Sequence, residues 1–339
     1  MAPGLQHFTR LTVGREGTAG QAVAGSRLLY PDGTGFFTID PMLTFGESAN
    51  RGTKTHVVRA VSQGIAAGIA FRTPADRGIA FDELVIPFSQ IHGGNNPTGS
   101  GATAAKVWTF TPDQDATASP RTYTFEPGDD NMSWRMEYGQ VSRWRLSAAI
   151  DAPTQLEMDI FARQASITST LSNPTPTDPV PIPGKQWGVR FATAQAGLNA
   201  ASDEANFMLD FDLDVTTGMV PRRYQDGNDY FGQSVDGQRL DFVLTMHGES
   251  TSVASTRYAK WINQQVEFVR LRANGASLGS TTYAAQLDLG VLWSNIQPIA
   301  SADEGVNIWE FTGRAAYDPT WDNSIVAHLI GSVTQLPGL

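Results

Sequence analysis

Short runs that alternate apolar and polar residues, separated by clusters of turn-forming residues, recur along almost the whole chain and predict strands. In Gln155–Ala162, Leu156, Met158 and Ile160 fall on one face, and Glu157, Asp159 and Phe161 on the other. That is the two-residue period of a half-buried strand. The same pattern predicts strands over 82–88 (DELVIPF), 106–112, 121–127, 133–139, 143–150 and 155–162 in the N-terminal part. In the C-terminal part it predicts them over 206–215, 239–248, 265–273, 283–292, 307–317 and 324–335. Helical periodicity is rare. Its clearest instance is STRYAKWINQQ, 255–265, with Ser255 or Thr256 as N-cap and Tyr258, Trp261 and Ile262 at helical spacing.

The pattern also repeats. MEYGQVSRWRLSAAIDAPTQLEMDIFARQA (136–165) and LDLGVLWSNIQPIASADEGVNIWEFTGRAA (287–316) align without a gap. Gly139 meets Gly290 and Arg163 meets Arg314, both 151 positions apart, and Glu137 then meets Asp288 and Asp159 meets Glu310. Before 133 the repeat needs gaps, and Asp82 of FDELVIPF aligns best with Asp241 of RLDFVLTM. Between the copies, STLSNPTPTDPVPIPGK (169–185) carries prolines at 174, 176, 179, 181 and 183. Such a segment is extended and unable to join a central strand. It divides the chain into a first domain, 1–168 with an N-terminal arm, a linker, 169–186, and a second domain, 187–339 with a C-terminal strand. Alternatively it is an arm that crosses onto a neighbouring chain.

Composition narrows the function. The 339 residues, 41% hydrophobic, suffice for two packed interiors, and 33 glycines with 19 prolines supply many turns. No apolar run approaches the roughly 18 residues of a membrane helix, and the first residues lack the basic and apolar regions of a signal peptide. The expectation is a soluble protein not exported by the usual route. The absence of cysteine removes disulfides, zinc knuckles and thiol catalysis. A net charge of −10 disfavours a nucleic-acid clamp, which needs Lys and Arg to displace counterions from phosphate.

Searches for chemistry mostly fail. The five histidines, at 7, 56, 92, 247 and 328, fall in no metal-ligand spacing. GGNNPTGSGATAAK (93–106) has Ser100 where a phosphate loop needs Lys. GQSVD (232–236) lacks the closing glycine of a nucleophile elbow. Asp210, Asp212 and Asp214 alternate with Phe211, Leu213 and Val215, but Val215 and Pro221 stand where a calcium loop needs Gly and Glu. This run is a strand with a carboxylate face, either plainly solvated or an acidic wall with a purpose. The long loop 221–238 carries Arg222, Arg223, Asp226, Asp229, Tyr230 and Phe231. Aromatics among mixed charges suit a protein contact, and the alternative is a solvated hairpin tip. No catalytic, cofactor-binding or metal-binding residue is assigned, so the chain is expected not to be an enzyme.

The segments AAKVWTFTP, RTYTFEPGDDNMSWRMEYGQVSRWRLSAAIDAP, RYAKWINQQVEFVRLRANG and NIWEFTGRAAYDP carry a resemblance. They echo a Trp-Thr-Phe-x-Pro run followed by a Tyr-x-x-Glu-x-Gly strand pair, and the likeness covers most of 80–165 and 205–318. On these the chain resembles the tail-tube (major tail) proteins of long, flexible-tailed bacteriophages, in their tandem two-domain form. The resemblance implies a mainly β protein of two tandem tail-tube-type β-sandwich or barrel domains, each with a short flanking helix. It implies a structural virion protein, without cofactor, assembled in the bacterial host cytoplasm. Its first partner would be itself, three chains forming a pseudo-hexameric ring and rings stacking into a hollow tube. Tape-measure, terminator and distal tail proteins would be further partners, and double-stranded DNA would pass through without being held; no membrane is implied. Within that picture Asp159, Asp210, Asp212, Asp214 and Glu310 are candidates for the lumen wall. Arg222, Arg223, Asp226, Asp229, Tyr230 and Phe231 are candidates for contacts between rings, joined in domain one by 72–80 or 46–56. Under the 151 shift Asp210–Asp214 falls on Arg59–Gln63, so the acidic stripe is not duplicated. Competing readings are a tail terminator or capsid decoration protein, and a two-domain carbohydrate-binding or hydrolytic β protein using some of its eight tryptophans.

Overall fold

The structure is a computed structural model that describes residues 10–33, 35–47, 57–62, 65–91, 98–99, 105–112, 121–129, 131–168, 172–174, 179–225, 227–228, 231–236, 239–299, 306–334 and 336. In chain order its strands begin with β1 (Arg10–Arg15), β2 (Arg27–Leu29), β3 (Phe37–Asp40), β4 (Leu43–Glu47), β5 (Val57–Ser62) and β6 (Ala66–Arg72). After a short helix, α1 (Val85–Ser89), come β7 (Thr98–Gly99), β8 (Lys106–Phe110), β9 (Tyr123–Gly128), β10 (Ser133–Ala149), β11 (Gln155–Ala162) and β12 (Gln164–Thr168). The second part holds β13 (Trp187–Ala192), β14 (Met208–Thr216), β15 (Met219–Arg222), β16 (Gln233–Asp236) and β17 (Asp241–Glu249), then α2 (Ser252–Ile262). It ends with β18 (Glu267–Leu278), β19 (Thr281–Pro298), β20 (Ile308–Ala315) and β21 (Ile325–Gly331). The protein is mainly β, and every ladder is antiparallel.

The duplication is structural. In the first module β3, β6, β11 and the second half of β10 pair in that order. In the second, β14, β17, β20 and the second half of β19 do the same. The first halves of β10 and β19 belong to another sheet in each module, pairing with β9 and β12 or with β18 and β21. Each long strand thus passes from one sheet to the other around a buried core that includes Trp144, Leu156, Met158, Phe211, Leu213, Leu244 and Phe311. The pass needs an irregularity, and it falls at Ser142 in β10 and Ser294 in β19. A bulge bends its strand and sharpens the twist. Each module also inserts a hairpin, β4–β5 or β15–β16, between the first two strands of its main ladder, and follows the next strand with its helix.

The modules are joined twice. β10 pairs along Arg143–Ala149 with β14, so β3–β6–β11–β10–β14–β17–β20–β19 is one continuous sheet. In addition β8 leaves the first module and pairs with β21 of the second, from Ala327 opposite Phe110 to Gly331 opposite Lys106. The indole of Trp108 donates to the Val333 carbonyl at 2.9 Å in the same seam. A boundary at 168 therefore separates the chain in sequence but not in sheets.

The described linker residues join no ladder: 172–174 and 179–183 carry no regular element beyond two single bridges, and Gly184–Gln186 form a 3-10 turn. Pro181 and Pro183 make single bridges to Ala80 and Pro153. Ile182 is fully buried, its amide donating to Ile79 and its carbonyl accepting from Thr154. This part of the linker lies on its own chain. A Cβ at Gly184 would stand 1.9 Å from the Ala149 carbonyl oxygen, so only glycine lets the linker pass there.

Four expectations need correction. Residues 82–88 are not a strand: Phe81–Leu84 form a 3-10 turn and Val85–Ser89 the helix α1, all of the latter buried. The Glu83 carboxylate accepts from the Ala80 amide at 2.9 Å and fixes the turn. The match of Asp82 with Asp241 fails with it, since the counterpart of β17 is β6, which pairs with β11 as β17 pairs with β20. The strands expected separately at 133–139 and 143–150 are one continuous strand with a bulge. Helix α2 starts earlier than its periodicity suggests, capped by the Thr251 hydroxyl, which accepts from the Val253 amide at 3.2 Å.

Candidate functional site: the charged face of the continuous sheet

One face of the eight-membered ladder packs on the core; the other carries charge. Alternation along β14 sends Phe211, Leu213 and Val215 inward and Asp210, Asp212 and Asp214 outward. Asp159 on β11 and Glu310 on β20 point to that same outward face, so the structure brings together all five acidic residues singled out in the sequence.

The face is not a bare acidic wall. Arg143 and Arg145, two apart on β10, meet the neighbouring module head-on. The Arg143 guanidinium donates to both Asp214 oxygens, at 2.8 and 2.5 Å, and lies 3.6 Å from Asp159. Arg145 grips Asp212, with its Nε at 2.8 Å, and reaches Glu157 at 4.0 Å, which Arg72 on β6 approaches at 3.7 Å. On the second module His247 stands 2.7 Å from Asp210 and 3.7 Å from Glu310, and the Gln297 amide donates to Glu310 at 3.3 Å. The hydrogen bond that Arg143 donates to Asp214 raises the Arg143 pKa beyond its ordinary value, and that to Asp212 does the same for Arg145. A ladder of charge thus runs from β6 to β20.

These groups are exposed or half-exposed, so each pair alone contributes about 0–1 kcal/mol, and what the network fixes is the position of charge. Glu157, Asp159, Asp210, Asp212, Asp214 and Glu310 outnumber Arg72, Arg143, Arg145 and Arg314. The face therefore stays acidic, but every guanidinium on β10 is already held by carboxylates. A groove of about 500 Å³ opens on it beside Arg145, Gln155, Asp210, Asp212, Thr245 and His247, where Asp212 is held by Arg145 and Asp210 lies against the His247 ring.

The arginines and His247 were missed from the sequence, although RWR shows the spacing of a strand face. The assignment of partners also shifts. Asp159 and Glu310 are not counterparts: Asp159 opposes Arg143 next to the first bulge, and the residue so placed in the second module is Thr312, opposite Asn295. Nor does Arg59–Gln63 correspond to Asp210–Asp214. The counterpart of β14 is β3, with Thr38 in the place of Asp214, and the acidic stripe still has no copy.

The loop candidates separate. Asp226, Asp229 and Tyr230 lie outside the described residues. Arg222 is exposed at the end of β15, and the exposed Arg223 donates to the Ile65 carbonyl of the first module at 2.7 Å. Phe231 is not exposed as expected. Only 3% accessible, it is wedged edge-on against Tyr138 and Phe161 of the first module, with ring centroids 5.5 and 5.6 Å away. The hairpin β15–β16 is thus clamped on the preceding module. Its equivalent there is β4–β5, whose connection 48–56 lies outside the described residues; the alternative, 72–80, is held by an Arg77–Glu83 ion pair at 2.7 Å and buried Ile79 and Ala80.

Among the described residues no cluster of His, Cys, Asp and Glu could hold a metal, and no helix is long and apolar enough to cross a membrane. No protein-family model matches the chain, and no curated protein shows significant similarity to it.

Proposed function

We propose that the protein is the subunit of a phage-type tail tube, a structural, non-enzymatic protein whose copies form rings that stack into a hollow conduit for DNA. The observation that carries this reading is the edge-to-edge union of the two modules. The last strand of one main ladder accepts the first strand of the next, which among the described residues leaves β3 and the second half of β19 as complementary edges at the ends of one sheet. Unpaired strand edges are a liability that a closed ring removes. A head-to-tail contact closes when its rotation permits, and three two-module chains would present six modules to the ring. Fusing modules in pairs makes half of these unions intramolecular and lowers the entropic cost of assembly.

The charged face is the proposed lumen wall. DNA carries one charge per roughly 1.7 Å of its axis, and free arginines along a channel would hold it at many points. Here carboxylates occupy the guanidiniums of β10, so the wall offers DNA no open cation there. Tape-measure, terminator and distal tail proteins would meet the ends of such a tube.

The test is assembly itself. Purified protein, concentrated and viewed by negative stain, is expected to give rings or tubes of uniform bore, with a matching sedimentation boundary. A chain that stays monomeric at every concentration, together with virions whose tubes lack it, would overturn the proposal.

A further inference from the structure

Resting on that ring-forming reading, we infer that the contact between successive chains reproduces the internal seam residue by residue, and that the β4–β5 hairpin of one chain covers Val243, Leu292 and Arg314 of the chain before it. Pairing relative to the two bulges fixes which residues correspond. Arg143, Trp144, Arg145 and Leu146 of β10 stand where Asn295, Ile296, Gln297 and Pro298 stand in β19. Thr216, Val215, Asp214 and Leu213 of β14 correspond to Asp40, Ile39, Thr38 and Phe37 of β3. The internal seam sets Arg143 opposite Thr216 and Leu146 opposite Leu213. Between chains it therefore sets Asn295 opposite Asp40, Ile296 opposite Ile39, Gln297 opposite Thr38 and Pro298 opposite Phe37.

Backbone direction agrees. The Ala70 amide donates to the Phe36 carbonyl, so Phe36 and Thr38 face β6 while Phe37 and Ile39 face the open edge. The Ile299 amide donates to Ile308, so Gln297 faces β20 while Ile296 and Pro298 face the open edge. Ile296 and Ile39 would exchange two hydrogen bonds, and the Pro298 carbonyl would accept from the Phe37 amide. The side-chain faces match as well: Ile296 is buried and Ile39 half-buried, while Gln297, Thr38 and Asp40 are exposed. Pro298 at one end and Pro41, opposite Ser294, at the other have no amide to donate, so the ladder is confined between them.

A second observation stands independently. In the first module the outer face carries Gln140, Phe161 and Gly68 in one row, and Phe231 of the following hairpin packs on Phe161 while Gln140 is fully buried. In the second module that row is Leu292, Arg314 and Val243. There Leu292 is 38% and Val243 37% exposed, with Arg314 open to solvent. The first module keeps its row under a hairpin that the topology repeats as β4–β5, and in one chain that hairpin has no preceding module to cover. The occupant that fits the second row is β4–β5 of another copy.

The chain has no cysteine, which makes the register directly readable. Thr38 and Gln297 would form a non-hydrogen-bonded pair, with Cα atoms about 4.5 Å apart, within disulfide reach. The T38C/Q297C variant, assembled and oxidised, is expected to give a ladder of covalent multimers on non-reducing gels. The single variants and the off-register D40C/Q297C variant should give at least tenfold less. Rings that form while cross-linking off register, or not at all, overturn this inference and leave the ring reading standing; wild-type protein that never assembles overturns both. For the hairpin, Leu292→Asp and Val243→Asp are expected to abolish assembly while the monomer keeps its circular dichroism and melting temperature. Wild-type assembly by both variants would overturn that half.

Discussion

Ser142 and Ser294 occupy the same irregularity in the two modules, each donating its hydroxyl to a carbonyl of the adjoining strand, Asp159 and Thr312, at 3.0 Å. A shared hydrophobic rhythm could arise in any pair of β domains, but a shared bulge with the same residue and the same bond is a detail of construction. Ser142→Ala removes one hydrogen bond and should cost about 1 kcal/mol. Deleting Ser142 is different in kind, because Arg143–Ala149 would then present every side chain to the wrong face. Urea titration of S142A should show a small shift in midpoint, and the deletion should give no cooperative transition.

Two ion pairs, one at the surface and one in the interior, should respond differently to mutation. Arg143 and Asp214 are exposed, and a double-mutant cycle between them is expected to give a coupling below about 1 kcal/mol that fades with salt. Arg270 and Asp288 are buried, joined at 2.6 and 2.8 Å, with Asn199 accepting a further bond from the guanidinium. Arg270→Ala leaves a buried carboxylate unpaired and should cost about 3–5 kcal/mol in chemical denaturation.

Phe231 holds the β15–β16 hairpin on the first module, and Phe231→Ala should release it. Truncating a buried phenylalanine costs about 3–5 kcal/mol where the surroundings cannot relax, and less when the lost element opens locally. Limited proteolysis is expected to cut the variant first within 221–238, with the cores of both modules resisting. Cleavage at the same place and rate in wild type would contradict the clamp.

His328 sits in the β8–β21 seam, its ring 3.1 Å from the Thr109 hydroxyl, with Gln286 as its strand partner and Asp288 and Arg270 nearby. Burial lowers its pKa, against the opposing pull of Asp288. A folded-state value below the ordinary one of about 6.5 means that folding favours the neutral ring. The stabilisation is therefore complete above about pH 6.5 and is lost as the pH falls below it toward the folded value. Denaturation midpoints measured from pH 7.5 to 5 should fall for wild type and fall less for His328→Gln.

Much of this was legible in the sequence, and the reasons for the rest are physical. Gln155–Ala162 was read to the residue because strict alternation leaves no other period. DELVIPF was misread because a continuous apolar run carries no period, and only the Glu83 bond back to Ala80 decides for a turn. Strand parity alone puts Asp210, Asp212 and Asp214 on one face, while the place of Asp159 and Glu310 beside them depends on the pairing of β11 and β20. That arginines would interleave with them depended on which strand lies beside β14, and pairing across modules leaves no mark in either segment alone. The burial of Phe231 was hidden for the same reason: an aromatic in a polar loop reads as exposed until the surface beneath it is known.

The loan of β8 to the second module has a consequence for how the molecule is made. Trp108 and Val333, bonded in the finished seam, lie 225 residues apart in the chain. During synthesis β8 emerges long before β21, so the first module must wait through the making of the second with that strand unmatched. Contacts of such long range close late and slowly. Strand β21 is then a latch, and the seam can be fastened only once that strand has been made.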